Sequence, residues 1–513
     1  MNGCKRGLAR DDDLNSDVEA IEVKKIKLAP IFAFGKPETS KVTRLSPLPS
    51  VVATDASSSV ATSSKHTYLA TSPLAISLPT SLPNKICWQI HGDNQTCLAG
   101  TFGEPAVDSL QALHSSSSAK GKGKAVVAFF DLDWTLIKPQ GNKKWPSPTD
   151  EFDYAFLFPN VVRKLQEEYQ KGRIIVLCSN QYQTLTGYRK ARVNFKPAET
   201  AKMQVWQRKL LNIVRALRIP CYIFAAMAKD EFRKPHRGMW DAFLQIWACD
   251  LGRGRTELAM LASEPSGDVS YFVGDFAGRL SDGEKDKDYK DTDRKFAINA
   301  GLRFFTPEEF FQGVKRGGRQ FELQGFNAKQ FLARQNSTSE AAPSLLPIGT
   351  TEIVLFVGLP GAGKSTYFNR HFRPHGYQWV NQDILKTRDK CLKAVTQHVK
   401  EGKSCVVDNT NRDRQTRAYY VNLATRHNVP IRCFQFDMNI EQAWHQNVYR
   451  AFSPDSTSKV IPPIAFTSYS SGYQEPTKAE GFAEEIHHVP FVFSGTEEER
   501  ERYLQWYATR DDF

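Results

Sequence analysis

Two short runs of residues carry the makings of phosphoryl chemistry, in opposite directions. Asp131 and Asp133 stand two apart directly after the apolar run Ala128-Phe129-Phe130, so a buried strand delivers two carboxylates to one turn. At such a turn one carboxylate can attack phosphorus, while the other protonates the leaving oxygen and then activates water. Magnesium would neutralise the negative charge that collects there. Further on, Gly358-Leu359-Pro360-Gly361-Ala362-Gly363-Lys364-Ser365 has the spacing of a nucleotide-binding P-loop. Gly358, Gly361 and Gly363 let backbone N–H groups converge on phosphate oxygens. Lys364 suits the β- and γ-phosphates of a nucleoside triphosphate, and Ser365 a magnesium ion. One site that removes a phosphoryl group and one that adds it fit a substrate with two ends to correct.

The elements needed to position these residues are legible. Apolar runs of strand length at 125–130, 173–178, 221–226 and 269–273 alternate with helical stretches at 161–171 and 201–217. A second alternating series follows, with strands at 352–357, 404–407 and 431–436 and helices at 364–371 and 441–451. Both read as α/β domains with parallel sheets. A further strand is expected at 86–90. The boundaries read as a disordered tail over 1–84, a first catalytic domain over 85–334, a linker over 335–350 and a second domain over 351–513. The tail is dominated by Ser, Thr, Pro, Ala and Val between 37 and 83, a composition too poor in anchors to offset chain entropy. Ahead of it, Lys5-Arg6 and Val23-Lys24-Lys25-Ile26-Lys27 read equally as a two-part nuclear import signal or a solvated basic tail.

The 513 residues carry a net charge of +12, which suits a polyanionic partner such as a nucleic acid. Nine scattered cysteines without a Cys-x-x-Cys pair argue against a disulfide scaffold or zinc ribbon and for a reducing compartment. No apolar run reaches the roughly 18–20 residues of a membrane span. The expected protein is a soluble monomer in the nucleus, or otherwise the cytoplasm.

Three later segments strengthen the paired-aspartate reading. Leu177-Cys178-Ser179-Asn180 ends a strand with a hydroxyl, Arg233-Lys234-Pro235 supplies a cation, and Phe272-Val273-Gly274-Asp275 ends another strand with a carboxylate. In this order the set resembles the haloacid dehalogenase-like phosphatases. The resemblance implies that Asp131 is the nucleophile and Asp133 the general acid/base. It also implies that Ser179 and Lys234 hold the phosphoryl group, and that Asp275 binds magnesium with Asp131 and the Asp133 carbonyl. Two departures stand out. Trp134 replaces the glycine that many members have after the second aspartate, a change expected to affect local packing. Arg279 replaces a carboxylate four residues after Asp275, leaving Asp291 or Asp293 as the substitute.

In the second domain Asp383 follows Lys364 by 19 residues and reads either as the base for an attacking hydroxyl or as a helix N-cap. Asp408 ends a strand and suits magnesium or its water; Arg450, on a helix, can close over a triphosphate or serve as a surface charge. From about Trp88 onward the chain resembles the bifunctional polynucleotide kinase 3′-phosphatases of DNA strand-break repair. The resemblance rests on domain order and on Arg233-Lys234-Pro235 with Gly238-Met239-Trp240, the run from Phe272 to Arg279, and Thr306-Pro307-Glu308-Glu309-Phe310-Phe311. Asp408-Asn409-Thr410-Asn411, Glu441-Gln442-Ala443-Trp444-His445 and Ala479-Glu480-Gly481-Phe482 add to it. It implies Asp383 as kinase base, magnesium and ATP as cofactor and phosphoryl donor, and Gly358, Gly361, Gly363, Lys364, Ser365, Thr366 and Arg450 around the nucleotide. It further implies metal ligation by Ser365 and Asp408, and Arg417 as a DNA contact. The partners implied are broken DNA and repair scaffold or ligase proteins. The stretch before Lys85 is too short and too low in complexity for the forkhead-associated domain of animal relatives. RNA end healing, and a catalytically inactive end-binding scaffold, are the rival readings.

Overall fold

The computed structural model describes residues 76–103, 125–141, 143–182, 197–250, 260, 268–315, 319–335, 349–454 and 456–513. The basic clusters, most of the low-complexity tail and the Ser- and Lys-rich loop before residue 125 lie outside the described residues. The first unit contributes β1 (Cys87–His91), β2 (Cys97–Phe102), β3 (Val127–Phe130), β4 (Ile137–Lys138), β5 (Ala155–Phe156), β6 (Ile174–Asn180), β7 (Cys221–Ala226), β8 (Tyr271–Val273) and β9 (Arg303–Phe305). Seven of these form one sheet in the order β1-β2-β7-β6-β3-β8-β9, while β4 and β5 pair separately. The five strands from β7 to β9 run parallel, and β2 joins β7 antiparallel with β1 hairpinned against it.

Period-2 alternation explains why this sheet is covered on both faces. In β3 every residue is buried. Ala128 and Phe130 pack into one core with Ile175, Leu177 and Ile223; Val127 and Phe129 pack into the other with Val176, Phe243 and Phe296. Each buried Phe contributes about 1.5–3 kcal/mol. The order of the central strands places β3 between β6 and β8, so their carboxyl ends open on one edge.

The second unit holds β10 (Ile353–Val357), β11 (Gln378–Val380), β12 (Cys405–Asp408), β13 (Ile431–Asp437) and β14 (His487–Pro490), in the order β11-β12-β10-β13-β14 and all parallel. Again β10 is wholly buried, with Ile353, Leu355 and Val357 on one face and Val354 and Phe356 on the other.

Two boundaries differ from the sequence reading. Residues 76–84 belong to the folded unit: the Ile76 N–H donates to the Gln170 carbonyl at 2.8 Å, and Ile76, Leu78 and Leu82 lie against the first core. The helix Ala328–Gln335, assigned to the first domain, buries Ala328 and Leu332 with Tyr503 of the second. Its apolar stripe needed a partner, and the partner comes from the far end of the sequence. The seven described cysteines in the two units are all free thiols.

Candidate active sites

In the first unit Asp131 emerges directly from β3, its N–H donating to the Val273 carbonyl at 2.9 Å. Lys234 arrives on the loop after β7. Its Nζ donates to Asp131 Oδ1 at 2.5 Å and to the Cys178 carbonyl at 3.3 Å, and lies 2.8 Å from Asp293 Oδ1. The Lys234 backbone is fixed as well, since its N–H donates to Asn180 Oδ1 at 2.9 Å and its carbonyl accepts from Asn180 Nδ2 at 3.1 Å. Carboxylate oxygens of Asp131, Asp275 and Asp293 lie within 4.8 Å of one another.

This crowding sets the electrostatics. Burial pushes Asp131 up to about 7, with Lys234 opposing and Asp293 adding to the rise. Burial likewise raises Asp275 well above the ordinary carboxylate range, with Asp293 and Asp131 adding. For Lys234, burial works against the charge, but Asp131 and Asp293 outweigh it and the net shift is upward. Three clustered carboxylates against one ammonium leave negative charge that only protons or a hard cation can balance. The all-oxygen donor set fits magnesium.

Of Asp291 and Asp293, the two substitutes left open by the sequence, Asp293 is the one in the cluster. Asp293, in the first turn of the helix Thr292–Ala300, faces the cluster. Asp291 instead lies 2.9 Å from Lys295 Nζ and accepts from the Gln324 N–H at 2.6 Å. Arg279 is tied to Asp288 at 2.8 Å and Glu308 at 2.9 Å, and donates to the Asp275 carbonyl at 3.1 Å. It supports the backbone of a cluster residue rather than offering a donor to a cation.

Asp133 lies beside the cluster and is raised by burial, with the Gln181 hydrogen bond opposing. Gln181 Nε2 donates to Asp133 Oδ2 at 2.8 Å and to Ser179 Oγ at 2.9 Å, joining both predicted residues. A narrow cavity of about 30 Å³ beside Asp133 is lined by Gln181, Trp206, Lys209 and Pro146-Ser147-Pro148. Trp134 does more than alter packing. Its φ is +60°, the left-handed region that glycine enters freely and a bulky residue enters at about 1–2 kcal/mol. Hydrogen bonds from its N–H to the Ile137 carbonyl and from its indole to the Lys144 carbonyl hold the turn.

In the second unit the P-loop joins β10 to the helix Lys364–His371, with Gly363 as its N-cap at φ +86°. Gly361 is at φ +80°, and a Cβ there would stand 2.9 Å from the Ala443 carbonyl, so the turn requires glycine twice over. Lys364 Nζ donates to the Gly358 and Leu359 carbonyls at 2.9 and 2.7 Å. Burial pulls it down to about 8, with Asp408 and Asp383 opposing. Ser365 Oγ donates to Asp408 Oδ2 at 2.6 Å, which also accepts from the Trp379 indole at 3.0 Å. Thr366 is exposed beside them.

Asp383 has an alternative reading as an N-cap, and Asn381 takes that part: its side chain accepts from the Asp383 and Ile384 N–H groups. The Asp383 carboxylate stays exposed and interacts electrostatically with Lys364 and Arg450. Arg450 lies solvent-accessible in the last turn of the helix Ile440–Ala451, and interacts electrostatically with Asp383.

Arg417 is a correction. It is fully buried, pairing through Nε and Nη2 with Glu480 at 2.8 and 2.6 Å and donating to the Asn411 and Gln474 carbonyls. A guanidinium enclosed in this way has no face for a DNA backbone. It pins the segment around Glu480 to the helix Arg414–His427. Sequence reasoning also passed over Asn180, Gln181 and Asn381. Gln181 was findable, since it lies two residues after Ser179 and strand alternation puts both on one side.

Comparison with known proteins finds relatives for both units. Residues 126–311 match the family described as polynucleotide kinase 3 phosphatase, and residues 353–463 match an AAA domain family. A bifunctional polynucleotide phosphatase/kinase of Schizosaccharomyces pombe is 37% identical over 372 residues, covering 72% of this chain and 80% of that one. The polynucleotide 3′-phosphatase ZDP of Arabidopsis thaliana is 27% identical over 201 residues, covering 36% of this chain and 24% of that protein. Among solved structures a fungal RNA kinase aligns at 16% identity and a TM-score of 0.22, covering 30% of this chain and 82% of that one. With a phosphatase family match over residues 126–311 and a relative 37% identical across four-fifths of its length, the chain belongs to the bifunctional polynucleotide phosphatase/kinases.

Proposed function

We propose that the enzyme prepares broken DNA for ligation, hydrolysing 3′-phosphate at one site and phosphorylating 5′-hydroxyl from ATP at the other. The observation that carries the chemistry is the enclosed cluster of Asp131, Lys234, Asp275 and Asp293 with Asp133 at its margin. Asp131 attacks phosphorus and forms an aspartyl phosphate while the ester oxygen leaves. Asp133, raised by burial above the ordinary carboxylate range, gives that oxygen its proton and then takes one from the water that cleaves the acyl phosphate. Lys234 and Ser179 hold the phosphoryl oxygens. Asp131, Asp275 and Asp293 together with the Asp133 carbonyl would hold magnesium, which supplies positive charge where the transferring group is most negative.

In the kinase site the P-loop N–H groups and Lys364 hold the triphosphate, and Arg450 closes over it. Asp383 accepts the proton of the 5′-hydroxyl, and Ser365 and Asp408 would orient a second magnesium ion. The catalytic groups of the two sites do not by themselves separate DNA from RNA. The choice of DNA rests on the resemblance of the segments around Asp275, Asn409 and Glu480 to the DNA repair enzymes, with the basic net charge in support. The nucleus is the proposed location, and nucleic-acid ends and end-joining proteins the proposed partners.

A matched pair of DNA and RNA oligonucleotides bearing 3′-phosphate and 5′-hydroxyl tests the proposal, with and without ATP and magnesium. The expected result is magnesium-dependent loss of 3′-phosphate without ATP, gain of 5′-phosphate only with it, and faster turnover on DNA. Faster turnover on RNA would overturn the substrate assignment and leave the chemistry standing.

A further inference from the structure

The inner side of the Lys234 backbone is fixed by Asn180, from the phosphatase unit itself. Its outer side depends on a different part of the chain. The Pro235 carbonyl accepts from Asn299 Nδ2 at 2.8 Å. The same Nδ2 donates to the Trp506 carbonyl at 2.7 Å, and Asn299 Oδ1 accepts from the Trp506 N–H at 2.8 Å. Asn299 is therefore paired edge to edge with a peptide of the kinase unit. His236, fully enclosed, has Nδ1 2.9 Å from the Asp230 carbonyl, and its Nε2 accepts from the Ala508 N–H at 3.2 Å. The Nδ1-protonated neutral ring satisfies both bonds, and burial holds the imidazole down to about 4.

Residues 506–508 are in turn seated in the kinase unit. The Trp444 indole donates to the Ala508 carbonyl at 2.7 Å, and Arg510 pairs with Glu441 at 2.6 Å. Ala508 thus gives its N–H to one domain and its carbonyl to the other. Phe452, which caps the helix carrying Arg450, packs on the His236 ring at 4.9 Å between centroids.

We infer that residues 506–508, through Asn299 and His236, act as a clamp that positions Lys234 in the phosphatase site, making the kinase unit a working part of the phosphatase. The inference rests on the reading that Lys234 holds the transferring phosphoryl group. Lys234 Nζ must serve Asp131 and Asp293 together from the end of a four-carbon stem, so a small shift of its backbone is felt at the reacting atoms. Misplacement by about 1 Å costs roughly 10²-fold in turnover. Asn299 and His236 are positioning residues, since neither touches the carboxylate cluster.

The test uses the full chain and steady-state kinetics on a 3′-phosphate DNA oligonucleotide, with 5′-kinase activity measured on the same preparations. Asn299→Asp keeps the side-chain volume and the acceptor for Trp506 but withdraws both donors. It should lower phosphatase kcat by about 10–100-fold, with KM and kinase turnover within about twofold of the parent. His236→Ala should behave alike, while His236→Gln, which retains a side-chain acceptor for Ala508, should recover most of the loss. The clamp is overturned if Asn299→Asp and His236→Ala keep near-parent phosphatase turnover. It is overturned equally if both activities fall in parallel, or if His236→Gln is as impaired as His236→Ala. Lys234→Ala is the control for the underlying reading: near-parent phosphatase in that variant would sink the role of Lys234 itself, independently of the clamp.

Discussion

The two sites meet the same problem, steadying a phosphoryl group, with opposite distributions of charge. The phosphatase site is an enclosed group of carboxylates around a single buried ammonium, and burial raises Asp131, Asp133 and Asp275. The kinase site is a loop of backbone donors with one lysine on its own carbonyls and an exposed carboxylate, Asp383, across from it. A nucleophile that forms a bond to phosphorus has to be desolvated and fixed. A base that only accepts a proton from an incoming hydroxyl can remain in reach of solvent, while the P-loop does the holding. On the proposed roles, acid chemistry is stored in the first site before substrate arrives, and in the second it is assembled with the substrate.

If that contrast is right, removing the fixed nucleophile should have the greatest effect. Asp131→Ala should cost on the order of 10⁴–10⁶-fold in 3′-phosphate hydrolysis and leave 5′-phosphorylation near the parent rate, as followed on end-labelled DNA. Asp383→Asn should cost about 10²–10⁴-fold in kinase turnover with ATP affinity almost unchanged. Because Asn381 already caps the helix, asparagine at 383 gains nothing by mimicking a cap, and a near-parent rate would remove Asp383 as the base. Arg417→Ala should act on the fold instead of on DNA. It strands the buried Glu480 carboxylate at about 3–5 kcal/mol, read as a lowered unfolding midpoint, while DNA affinity of the folded fraction stays at the parent value. Asp293→Asn should be the mildest, raising the magnesium concentration for half-maximal phosphatase activity by about 10–100-fold. An unchanged magnesium requirement would return the outer carboxylate to Asp291.

The same contrast explains what could be read in the sequence. The kinase loop is contiguous, so its geometry is written within eight residues, and the helix Lys364–His371 lies where the motif predicts it. Runs that are buried on both faces, such as β7, are also legible because their neighbours need not be known. The phosphatase cluster is gathered from four places in the chain. Asp293 stands 18 residues past Asp275, and nothing local distinguishes it from Asp291; only the helix phase set by packing turns one inward and the other toward Lys295. Arg417 failed for a related reason. A helix arginine looks alike in sequence whether it faces solvent or, as here, a glutamate 63 residues away. The short antiparallel strand β2 was missed because Cys-Leu-Ala-Gly-Thr-Phe lacks the alternation of an edge strand, being covered on nearly every side.

The helix Ala328–Gln335 has a consequence for the order of events at the ribosome. The phosphatase sheet is complete once β9 has emerged, and it can close its core at once. Leu332, however, finds Tyr503 only about 170 residues later in synthesis, at some 5–20 residues per second. For that interval an apolar stripe of Ala328, Phe331 and Leu332 has no kinase unit to cover it. Until then this stripe, like the buried strand β10, is open to other apolar partners, and a chaperone that binds short apolar helices would have a footing at the junction of the two units.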